Sequence, residues 1–128
     1  MEEVKLSLSV LHDRLAVCRL DKNDAIPYWA TEGTFFSISR TDDELSIVCS
    51  ENSVPGNIKS EKNWRALKVI GPLDFSLTGI LASLANALAE AKISILAVST
   101  FDTDYILVKS RNLEKTVKVL SPFCNIQR

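Results

Sequence analysis

The sequence predicts an α+β fold of two lobes, each built on an antiparallel sheet. Three observations lead there. Residues 64–126 run strand, helix, strand, strand, helix, strand. Strand–turn–strand windows recur in the two halves at an offset of 60, which places Ser39, Asp42, Val48, Ser50 and Asn52 on Ser99, Asp102, Val108, Ser110 and Asn112. A chain of 128 residues that is 46% hydrophobic and 24% charged has the balance of a folded globular protein and enough length to bury a core unaided.

Each element follows from its residues. Val4, Leu6, Leu8 and Val10 alternate with polar residues, the period of a strand with one buried face. Leu15–Leu20 is a second strand, and Asp21–Asp24 a polar loop. Pro27–Ala30 reads as a single helical turn opened by proline. Thr34–Ser39 and Leu45–Cys49 form a hairpin about the turn Thr41–Glu44. Residues 51–63 have the composition of a surface connection, and Trp64–Ile70 returns to strand. Leu77, Ile80, Leu81, Leu84, Leu88 and Ala91 then recur at helical spacing, with Asp74 or Ser76 placed to cap the helix. Ile93–Ser99 and Asp104–Val108 make a second hairpin. Asn112 is positioned to cap a last helix through Leu120, and Phe123–Ile126 closes the chain as a strand. The second half is thus β-α-β-β-α-β, the ferredoxin-like pattern. The first half is a degenerate copy with a short helix. The expected lobes are residues 1–60 and 61–128.

Charge and motif content exclude much. Lys+Arg is 15 and Asp+Glu is 16, a net charge of -1, so phosphate neutralisation is no basis for nucleic-acid binding. No apolar run reaches the length that spans a bilayer, and the acidic start has no signal-peptide pattern; the expected location is cytoplasmic, with no membrane partner. Cys18, Cys49 and Cys124 are odd in number, lack CxxC spacing and sit among apolar residues, as buried thiols do. His12 stands alone in a turn. There is no nucleophile–base pair, metal-ligand cluster or phosphate-binding loop, so the expectation is a non-enzyme without cofactor or metal. Trp29 and Trp64 are expected to pack between the halves.

Several strings resemble a known family. Val17–Leu20, Ile26–Trp29, Phe36–Thr41 and Glu44–Cys49 look like the N-terminal half of small bacterial tandem ACT-domain proteins. Gly71-Pro-Leu-Asp-Phe75, Thr78-Gly79 and Ser99-Thr-Phe-Asp-Thr-Asp-Tyr105 look like the C-terminal half. That half is also similar to the ACT modules of cytosolic arginine sensors and of aspartokinase regulatory regions. The resemblance implies a non-catalytic pair of ACT lobes that binds an amino acid effector at an ACT interface. It also implies a homo-oligomer and a regulated protein reached in trans. The rival reading is a purely structural oligomerising module without a ligand.

The residues expected to hold the ligand are Leu73, Asp74, Phe75, Ser76, Thr78 and Gly79 on the loop into the long helix, with Ser99, Thr100 and Asp104 on the second hairpin. Helix N-termini present unpaired N–H groups and partial positive charge, which suit an α-carboxylate. Asp74 and Asp104 suit an ammonium or guanidinium group. Ser76, Thr78, Ser99 and Thr100 offer neutral hydrogen bonds, and Gly79 permits close approach.

Overall fold

In the computed structural model, residues 6–70 and 79–128 are described. Their elements in chain order are β1 (Leu6–Val10), β2 (Leu15–Leu20), β3 (Ser37–Arg40), β4 (Leu45–Ser50), β5 (Ser60–Val69), α1 (Ile80–Glu90), β6 (Ile95–Ser99), β7 (Asp104–Lys109), α2 (Leu113–Leu120) and β8 (Cys124–Gln127). Short 3-10 turns cover Tyr28–Thr31, Glu51–Ser53 and Ser110–Asn112. The chain divides into one unit of residues 6–12 with 65–128 and another of residues 13–64.

In the first unit the strand order is β6-β7-β5-β1-β8. The alternation read in β1 is realised, with Leu8 and Val10 buried. Its partners, however, lie in the C-terminal half. Leu8 pairs with Val69 antiparallel, and Leu6–Ser9 run parallel to Cys124–Gln127. The lobe boundary expected at residues 60 and 61 is therefore drawn differently: β1 belongs with the C-terminal β-α-β-β-α-β segment, as a fifth strand between its first and last. That insertion explains the parallel pair. β8 would run antiparallel to β5 as a direct neighbour; with an antiparallel strand interposed, it runs parallel to the insert. The sheet is mixed rather than wholly antiparallel. Leu8, Val10, Leu67, Val69, Ile106 and Val108 bury against Leu84 and Leu88 of α1 and Leu113 and Leu120 of α2.

α1 ends without glycine. Lys92 takes φ +61°, its N–H donates to Ala89 O at 2.9 Å, and the Ile93 N–H donates to Leu88 O at 2.9 Å. This pair of bonds satisfies the last carbonyls while buried Ile93 and Leu88 share the core. Asn112 stands at the start of α2 as expected, but its side chain makes no capping bond. Instead, the Thr116 hydroxyl donates to the Asn112 carbonyl at 2.8 Å. The expected caps of α1, Asp74 and Ser76, lie outside the described residues.

In the second unit the order is β3-β4-β2-β5. Residues 51–63 are less of a loop than their composition indicates, because β5 begins at Ser60. Asn63 sits at φ +67°, and the β2–β5 register shifts from Leu15↔Trp64 to Val17↔Glu61. This is a bulge with asparagine in the left-handed position, so polar residues continue the strand through it. The Asn63 N–H donates to the Glu51 carboxylate at 2.7 Å. Ala16, Cys18, Leu45, Ile47, Cys49 and Val54 form the core with Trp29 and Ala30 of the 3-10 turn. Trp29 thus packs within its own unit, where the flat ring fills the space that a long helix covers in a complete β-α-β-β-α-β unit.

The two hairpins have the same construction. Arg40 opposes Leu45 and Ser99 opposes Asp104, each across a four-residue turn, and each second strand runs into a 3-10 turn. Thr41 and Thr100 play one role: each N–H bonds the carbonyl three residues on, at 2.9 and 2.8 Å. The structural offset is therefore 59, not 60, and the five sequence identities noted above are not equivalent positions.

Candidate functional site

The described part of the expected ligand site is the tip of the β6–β7 hairpin and the start of α1. Leu73, Asp74, Phe75, Ser76 and Thr78 lie outside the described residues. Gly79 adopts φ +85° immediately before α1, and its carbonyl accepts the Ser83 N–H at 2.8 Å. The left-handed backbone is the physical reason for glycine there. A Cβ at this position meets nothing within 4 Å among the described residues, and the positive φ makes the requirement conformational. The first N–H groups of α1 have no partner within the helix, and its first turn carries no acidic residue.

The hairpin brings Ser99 and Asp104 together. They are directly opposed, and the Ser99 hydroxyl donates to Asp104 Oδ1 at 2.5 Å. Asp104 is half-buried and Ser99 exposed. A carboxylate that accepts one hydroxyl bond keeps most of its acceptor capacity for a cation. Thr100 is used differently from expectation. Its hydroxyl donates to the Thr103 carbonyl at 3.0 Å and accepts the Thr103 N–H at 3.2 Å, so it builds the turn.

Two residues of this hairpin carry weight that the spacing did not reveal. Thr103, read as a turn residue, is 5% exposed and its hydroxyl donates to the carbonyl of Val69 at the end of β5. That bond ties the turn to the central strand. Phe101 is 83% exposed at the tip. A polar–aromatic–acidic turn gives no sequence signal for which member faces inward.

The thiols form no site at this hairpin. Cys18, Cys49 and Cys124 are buried and form no disulfide among the described residues. Ala16 opposes Cys49 and Cys18 opposes Ile47, which puts Cys18 and Cys49 diagonally on the buried face of β2 and β4. The hydrogen bond to Cys49, followed by burial, pushes the Cys18 thiol far above the usual range, so it holds its proton. At the far end of the chain, both oxygens of Glu114 accept from the Arg128 guanidinium. That bond holds the Glu114 carboxyl below the usual carboxylate range.

Five strands under two helices, with a carboxylate held at a hairpin tip and a helix start on the same unit, define a ferredoxin-like module. The ACT-domain model matches residues 59–122, and a second model, of an N-terminal domain, matches residues 13–57. The chain belongs to the ACT-domain family. It is similar to protein Atu0741 from Agobacterium tumefaciens, with 40% identity and a TM-score of 0.91 over 97% of this chain and 93% of that one. The human cytosolic arginine sensor for mTORC1 subunit 1 is 34% identical over 95 residues, 68% of this chain. The chain spans 29% of that sensor's length. The regulatory subunit of aspartate kinase from Thermus flavus shares the fold at a TM-score of 0.66 and 7% identity, over 94% of this chain and 98% of that one. Among the described residues, no helix is long and apolar enough to cross a membrane.

Proposed function

We propose that this chain is a non-catalytic regulatory module that binds a free amino acid at the loop of Leu73 to Gly79 and the hairpin of Ser99 to Asp104. The observation that carries the reading is the half-buried Asp104 carboxylate, oriented by the Ser99 hydroxyl. It supplies a seat for an ammonium or guanidinium group, while the N–H groups at the start of α1 suit the α-carboxylate. The assembly we infer is a homo-oligomer that is cytoplasmic and acts in trans on a regulated protein. The relationship to an arginine sensor makes arginine the first ligand to try.

The test is a thermal-shift screen of the twenty amino acids on the wild-type chain and on Asp104→Ala. A ligand at 100 times its Kd stabilises by about 2.7 kcal/mol, roughly a 10 °C rise in Tm for a chain of this size. The reading requires one such shift that Asp104→Ala reduces. No shift with any amino acid at millimolar concentration favours the structural oligomerising module. A shift that Asp104→Ala leaves unchanged puts the site elsewhere.

A further inference from the structure

The unit of residues 13–64 carries a groove that the reading above does not use. It has a volume of about 270 Å³ and is lined by Val17, Cys18, Arg19, Glu44, Ser46, Lys59, Ser60 and Glu61. It lies on the face of the sheet opposite the core. Arg19 opposes Ser46 on β4, and its N–H donates to the Lys59 carbonyl at 3.0 Å. The β2–β5 register of Val17↔Glu61 and Cys18↔Ser60, carried one residue further, sets Lys59 directly beside Arg19. Directly opposed residues of antiparallel strands share a face, and like charges so placed repel. The fold thus places two cations side by side across β2 and β5. The Arg19 guanidinium is tied to the Asp43 carbonyl at 3.0 Å. Among the described residues no ion pair joins Arg19, Lys59, Glu44 and Glu61 to one another. Glu61 lies two residues along the same face as Lys59, and Glu44 two residues from Ser46.

We propose that this groove binds a small zwitterion of amino-acid size. Arg19 and Lys59 hold its carboxylate, and Glu44 and Glu61 hold its ammonium group. A bound carboxylate relieves the repulsion between the two cations, which gives the pair a physical reason. The two flanking carboxylates act against a dianion such as phosphate or a dicarboxylate, since both would face its second charge. The volume admits one amino acid and little more. This site is independent of Asp104, so the two readings stand or fall separately.

The test is heteronuclear amide NMR of the whole chain, titrated to millimolar concentration with each of the twenty amino acids and, separately, with succinate. The expected result is saturable movement of the Arg19, Ser46, Lys59 and Glu61 amides with an amino acid. Lys59→Ala should weaken that binding tenfold or more, and Asp104→Ala should leave it unchanged. Lys59 is exposed, and Glu61→Gln supplies a second, isosteric variant that should also weaken binding. No movement of these four amides with any amino acid overturns the proposal. So does equal binding of succinate, or binding that both Lys59→Ala and Glu61→Gln leave intact.

Discussion

Replacing Thr103 with valine tests whether the candidate hairpin is held from beneath. Valine keeps the shape of threonine and removes the hydroxyl. At 5% exposure, with Val69 fully buried, the Val69 carbonyl then loses a partner that water cannot readily replace. A typical buried hydrogen bond contributes about 1 kcal/mol, and an unsatisfied buried acceptor costs about 1–3 kcal/mol. The expected loss is therefore about 1–2 kcal/mol. At about 4 °C per kcal/mol for a chain of this length, Tm should fall by about 4–8 °C in a thermal melt. Thr103→Ser restores the hydroxyl and should recover most of that loss. The same variants bear on the site, because Asp104 follows Thr103 directly: any amino-acid-induced shift should shrink in Thr103→Val and return in Thr103→Ser. A Thr103→Val protein that melts with the wild type, or a serine variant as damaged as the valine, would refute the reasoning.

Other substitutions probe the remaining features. Gly79→Ala should cost about 1 kcal/mol through backbone strain alone, and Gly79→Asn less, since asparagine tolerates a positive φ; equal chemical-denaturation midpoints for glycine and alanine would contradict the conformational role. Cys18 and Cys49 should resist a thiol reagent in the native state and react on unfolding. The folded Cys18 thiol holds its proton while the same bond lowers the Cys49 thiol, so the stability that Cys18 loses as pH rises above its unfolded pKa is opposed by the stability that Cys49 gains as it titrates. Cys18→Ala should raise the Cys49 thiol pKa in an NMR titration. The lowered Glu114 carboxyl stabilises above its unfolded pKa and loses that effect as pH falls through the folded value. An NMR titration of Glu114 should therefore show a higher pKa in Arg128→Ala.

The sequence shows most of the elements because their residues state a period. The alternation of β1, the leucine stripe of α1 and the turn at Thr41–Glu44 all appear where the pattern puts them. Other features escape for physical reasons. Alternation fixes which face of β1 is buried but not which strands it pairs with, and its insertion beside β5 and β8 depends on long-range pairing alone. The start of β5 is hidden because a bulge needs a left-handed residue, and Asn63 among charged neighbours has the composition of a loop. Likewise Lys92 ends α1 where a glycine signal was absent. Within the candidate site, Ser99 and Asp104 stood out in the string as separate polar residues, whereas the bond between them and the inward turn of Thr103 were not legible. Turn residues alternate between solvent and core according to the strand beneath them, here β5.

The repeated hairpin separates what the backbone requires from what the chemistry adds. Thr41 and Thr100 show that one turn serves both units, and the strands that follow bury equivalent stretches, Ile47–Cys49 and Ile106–Val108. At the first residue past the turn the two hairpins diverge. Leu45 is fully buried and contributes to a core, while the equivalent Asp104 is a half-buried carboxylate; opposite them stand Arg40 and Ser99. Arg40 uses its guanidinium to bond the carbonyls of Lys22 and Asp24, a structural task. Among the described residues, the Ser99 hydroxyl bonds across the pair to Asp104. The same turn therefore forms with an apolar residue at this position, and folding does not call for the acid. Partial burial of a carboxylate carries a desolvation cost that a leucine avoids, and one serine hydroxyl offsets only part of it. A cationic group from a bound amino acid would offset the rest, which is why Asp104, rather than the more exposed acids of the turns, is the residue on which the proposed binding is tested.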